Sequence, residues 1–140
     1  MADLIYNTAK KKLADADLDL LTATLKVLLV TSSYTPNIDT HEYLEDITNE
    51  VASGNGYTTG GKELENKTTT VDTSLDKLKF DGDDLVWATS TITARAAVLY
   101  HDTGDPATST LIAYFDFLTD KSSSGDNFNI TWNANGLFRF

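Results

Sequence analysis

Apolar positions change their spacing along this chain, and the changes mark its elements. "ADLIYNTAKKKLA" puts Ile5, Ala9 and Leu13 four residues apart, with Lys10, Lys11 and Lys12 largely on the other side and Asp3 at the N-cap. That spacing predicts a short amphipathic helix in residues 1–14, packed on its own sheet or serving as an N-terminal arm that docks on a partner. The β-branched, leucine-rich run from Thr24 to Ser32 stops before Pro36 and predicts a buried strand. A second short helix is expected over Thr40 to Ile47, where Asp39 and Glu42 form a near capping box and Tyr43, Leu44 and Ile47 an apolar face.

From Ser53 onward helical spacing disappears and turn residues punctuate the chain at Gly54, Gly56, Gly60, Gly61 and Asp81-Gly82. The remainder reads as an antiparallel meander. "DGDD" makes a tight turn into "LVWATSTITARAAVLYHDTG", residues 85–104, in which neither parity is cleanly apolar. Two strand segments joined by a kink are expected there, with a bulge or face switch near "ARAAVLY". "HDTGDPATST" is a loop, and "STLIAYFDFL" returns to complete a hairpin from Ile92 to Phe117. "TDKSSSGDN" reads as another loop. "FNITWNANGLFRF" closes the sequence with Phe128, Ile130 and Trp132 on one face, a turn at "NANG" and an apolar end that needs cover from its own sheet or a neighbouring subunit.

The fold class is therefore mainly β, an antiparallel β-sandwich or barrel-like domain with one or two short helices in the N-terminal third. At 140 residues the chain suits a single domain, residues 1–140, that buries roughly two-thirds of its unfolded surface. Charge narrows the partners. With 21 acidic against 11 basic residues, net −10, most of the surface repels a phosphate backbone, so no nucleic acid is expected. No apolar run approaches the ~20 residues of a membrane span, so no membrane is expected either. The lysines follow the first apolar residues, the reverse of a secretory signal.

Candidate chemistry is sparse. The chain has no cysteine and only His41 and His101, so a thiolate site is impossible and any imidazole base must be one of these two. His101 precedes Asp102, but neighbours on a strand point to opposite faces. Ser90 and Ser109 lie in no nucleophile-elbow motif. "DADLDL" from Asp15 begins like a calcium loop yet has Leu20 where glycine is needed and Lys26 where the bidentate glutamate belongs, and "DGDDL" from Asp81 is shorter still. Both read as turns. Trp87, Trp132, Tyr57 and Tyr100 offer a sugar-stacking platform or, more in keeping with a small β domain, core filling, in which case Trp87→Ala costs roughly 3–5 kcal/mol. No cofactor and no enzymatic activity are expected.

Four segments together resemble a family of small virion proteins of tailed bacteriophages and their prophages. They are "IYNTAKKKLADADLDL…TLKVLLVTSSYTPNIDTHEYLEDITNEVASGNGYTTGG", "DDLVWATSTITARAAVLYHDTG", "LIAYFDF" and "ITWNANGLFRF". The likeness spans nearly the whole chain in the same order. It implies a head-module component, a capsid decoration or cement protein with no catalytic residues, made in the host cytoplasm and carried on the capsid surface. Its implied partners are the major capsid protein and further copies of itself, a trimer favoured. Under that resemblance Leu4, Ile5 and Tyr6 are expected to contact the capsid, and Leu137, Phe138 and Phe140 to form the oligomer interface. A virion-associated adhesin, head fibre or tail component that binds a glycan or receptor is the alternative.

Overall fold

The computed structural model describes residues 2–140. Its elements are β1 (Leu4–Ile5), α1 (Asn7–Ala14), β2 (Leu25–Val30), a 3-10 turn (Leu44–Asp46), β3 (Lys62–Glu63), β4 (Thr68–Asp72), β5 (Lys77–Asp81), β6 (Leu85–Ser90), β7 (Thr93–His101), β8 (Leu111–Ser122), β9 (Asp126–Ile130) and β10 (Phe138–Arg139). All pairings are antiparallel. A five-stranded sheet in the order β1-β8-β7-β2-β3 stacks against two smaller ones, β10-β5-β4 and β6-β9, so the fold is a β-sandwich-like domain with one α-helix near the N-terminus.

Both faces of the large sheet are covered, which explains why residues 27–30 and 96–100 are apolar without alternation. Leu25, Val27, Leu29, Ala97 and Leu99 face the small sheets and share a core with Trp87, Phe128, Phe80 and Phe138. Leu28, Val30, Ala96, Val98 and Tyr100 face the other way, into a second cluster with Tyr6, Tyr34 and Tyr114 under the irregular segments that follow β2. Trp87 is 1% exposed and packs edge-on against Phe128, 6.0 Å between centroids. It is a core residue, and so are Tyr57 and Tyr100.

The kink in residues 85–104 lies at Thr89 to Ile92, where Thr89 has φ 50°, and a register shift follows between Ala94 and Ala96. "DGDD" does turn the chain, but β5 pairs with β4 and β10 while β6 pairs with β9, so it leads from one sheet to another. The expected helix over Thr40 to Ile47 is reduced to the 3-10 turn, because its backbone is engaged elsewhere. Leu44 N–H bonds Ser109 O, Leu111 N–H bonds Glu42 O, and Tyr43 bridges Thr110. The Asp46 carboxylate accepts the Glu42 and Tyr43 N–H groups, each at 2.9 Å, in place of the Asp39–Glu42 box.

Gly61 fixes the approach to β3. At φ +76°, a Cβ there would lie 1.9 Å from Val27 O, so only glycine lets this segment reach the edge of β2.

Candidate functional site: the chain ends and the β8 bulge

Residues 2–14 do not form a free arm. Leu4 and Ile5 pair with Tyr114 and Ala113 as β1, and α1 packs on β8. The helix starts later than the Asp3 cap would place it, after Tyr6, because residues 3–5 are taken into the sheet. Tyr6 is fully buried, its N–H on Ile112 O and its hydroxyl bonded to Tyr34 at 2.9 Å. Burial, reinforced by that hydrogen bond, raises its pKa far above that of a free phenol. Of the three residues expected to touch a capsid, Leu4 and Ile5 are half-buried and Tyr6 is inaccessible without undocking the segment.

The C-terminal residues divide the same way. Leu137 N–H bonds Phe80 O, Phe138 pairs with Phe80 with ring centroids 5.0 Å apart, and both Leu137 and Phe138 are buried in the chain's own core. They are therefore removed from any subunit interface by their own sheet. Phe140 is different: it stacks on Phe138 at 5.5 Å yet remains 49% exposed. Ile5, Leu13, Phe140 and the stem of Lys10 line an almost wholly apolar groove of 270 Å³. The structure thus brings Ile5 and Phe140, residues from opposite ends of the sequence, onto one surface.

A second apolar feature was not legible in the sequence. Between β7 and β8 the register passes from Ala94↔Lys121 to Ala96↔Asp116, so two steps of β7 oppose five of β8, and residues 118–120 bulge outward while Phe117 packs on the core. Leu118 sits at φ +69° and is 78% exposed. A bulky residue in that backbone region costs about 1–2 kcal/mol, and turns there ordinarily use Gly or Asn. The Asp116 carboxylate holds the conformation by accepting Leu118 N–H at 2.7 Å. Alternation in "IAYFDFL" predicts a plain strand and carries no signal for the bulge.

The largest cleft, 450 Å³, lies beside the tyrosine cluster and includes Lys26, Glu50, Tyr100 and Asp102 in its lining. Its polar groups are bonded to one another. Glu50 accepts the Tyr57 hydroxyl at 2.7 Å and Gly60 N–H at 2.6 Å, Tyr57 in turn accepts Leu29 N–H at 3.0 Å, and Tyr100 donates to Gly60 O at 2.7 Å. Lys26 and Asp102 pair at 2.7 Å. Burial raises the pKa values of Tyr57 and Tyr100 and lowers that of His101, disfavouring the charged form of each. His41 Nδ1 bonds the Tyr34 hydroxyl at 2.9 Å. Ser90 Oγ lies on Trp87 O and Ser123 Oγ, and Ser109 Oγ on Asp105 O, so neither serine is paired with a histidine. Among the described residues no group of three His, Asp or Glu side chains converges as a metal ion requires. Trp132, half-buried, packs at a tilt on Phe115, 4.9 Å between centroids, and donates its indole N–H to Asp83 O.

No protein-family model matches the chain, and no significant similarity to a curated protein or a solved structure is found.

Proposed function

We propose that the chain is a non-enzymatic structural protein of a tailed-phage virion, a decoration or cement protein that binds the outside of the capsid and ties neighbouring capsomers together. The observation that carries this reading is the apolar groove at the chain ends, where Ile5, Leu13 and Phe140 leave an unfilled surface on an otherwise acidic molecule. An apolar recess of this kind fits a protein partner better than a charged or sugar ligand. The order of the four sequence segments points the same way. A glycan-binding adhesin is less favoured because Trp87, Tyr57 and Tyr100 lie in the core, which leaves only half-buried Trp132 of the four rings a sugar platform would use. Several weak contacts per assembled unit would hold a shell firmly, since each contact after the first forms at high effective concentration.

The test mixes purified protein with expanded phage shells that lack it and counts the copies bound. Saturation at a stoichiometry that matches the shell's symmetry is expected. Protein that stays in solution at all ratios would overturn the reading.

A further inference from the structure

We infer that the groove at the chain ends is the seat for the Leu118 bulge of a second copy of this chain, so that copies join knob into groove. This names the partner of the surface on which the virion reading rests. The two features match in chemistry. One is a 270 Å³ recess of Ile5, Leu13 and Phe140, and the other an isolated leucine, 78% exposed, raised on a bulge. Leu118 is held in a backbone conformation unfavourable for leucine, and such strain persists where the surrounding structure enforces it and commonly marks a working position.

Charge matches as well. The chain is strongly acidic, so two copies repel except where a basic patch meets an acidic one. The groove is bordered by Lys10, whose ammonium makes only a long bond to Asn7 at 3.3 Å, whereas Lys11 pairs with Asp15 and Lys12 lies over the Tyr43 ring. The knob carries an acidic collar. Asp116 flanks it, and Asp3 joins it by accepting Asp116 N–H at 2.7 Å, while Asp120 on the other side is paired with Arg95. The nearby cations are occupied, Arg95 with Asp120 and Lys121 with Asn129 O. The knob and the groove share no residue, so the contact joins unlike patches and makes a reciprocal pair, a ring or an open chain of copies.

Light scattering over a concentration series is expected to give a reversible rise in mass to a discrete oligomer. Leu118→Asp should weaken association at least about tenfold. Leu118→Gly, which suits the positive φ, should keep the fold and lose association equally. Lys10→Glu should weaken association, and Asp120→Lys added to it should restore part. Because the chain has no cysteine, oxidising a mixture of Leu118→Cys and mass-tagged Phe140→Cys proteins should give the mixed dimer in preference to either like pair. A monomer at every concentration, a Leu118→Gly protein that associates like the unaltered chain, or like pairs dominating the cross-linking would each overturn the inference. Shell binding, measured in parallel, separates the two readings. Knob-dependent oligomers that ignore shells would sink the virion function and leave the contact standing. A persistent monomer that saturates shells would do the reverse.

Discussion

The two faces of the large sheet are both buried but by different means. Toward the small sheets, Leu25, Val27, Leu29 and Leu99 meet Trp87, Phe80 and Phe128 in an apolar contact whose one buried phenol is Tyr57. Toward the loops, Tyr6, Tyr34 and Tyr100 sit among aliphatic residues and carry hydroxyls that bond to one another, to His41 and to Gly60. The reason is the covering material. A sheet satisfies its own backbone groups, whereas the irregular segment from Tyr34 to Gly61 brings backbone donors and acceptors to the interior that need partners. Tyrosine supplies apolar area and a polar tip in one side chain.

The contrast predicts a ranked set of responses. Trp87→Ala, which empties the dry face, should cost about 3–5 kcal/mol in urea unfolding. A loss below about 1 kcal/mol would mean that the dry face collapses around the gap. Gly61→Ala should follow at about 2–3 kcal/mol, because a Cβ would meet the Val27 carbonyl and an unfavourable φ together. Comparable costs for the two would make the loop cover as rigid as the sheet cover. Tyr57→Phe should cost about 1–3 kcal/mol, since it leaves Leu29 N–H buried without its acceptor and Glu50 with Gly60 N–H in place of two donors. A neutral result in the same unfolding assay would mean that water replaces the hydroxyl.

The smallest effect is that of acid. Asp46 is held below the usual carboxylate range chiefly by Tyr43 N–H, and Asp102 chiefly by its hydrogen bond from Lys26. Depressed values mean that their stabilisation is present above the unfolded-state pKa of about 3.9 and is lost as pH falls through the lower folded-state values. Both belong to the loop cover. Protection against hydrogen exchange, taken relative to the intrinsic rate at each pH, should therefore fall first in residues 42–46 and 102–104, while Leu25–Val30 stays protected. Simultaneous loss across both faces would erase the distinction.

Much of this arrangement was legible in the sequence. The Leu25–Val30 strand, the break within residues 85–104 and the hairpin back to Phe117 follow from runs and turn residues that local physics decides. The Thr40–Ile47 helix was misread because pairing with residues 109–111, more than sixty positions away, outweighs a local capping preference. Leu137 and Phe138 looked like interface residues because nothing local reveals that Phe80 covers them. The groove was half legible. Ile5 and Phe140 each stood out as apolar residues near an end, but only the fold sets them side by side. Leu118 gave no signal at all, since its register is fixed by the partner strand.

The order of the strands also governs how this chain must fold. β2 lies beside β7, β1 beside β8 and β5 beside β10, so both halves of the sequence are needed to close either layer. Contacts so distant along the chain make folding slow compared with a helical protein of equal length. During synthesis, "LKVLLV" emerges about seventy residues before β7, its covering neighbour in the sheet, and it is an uninterrupted β-prone run. The segment at the heart of the finished protein is thus its chief aggregation hazard while the chain is being made.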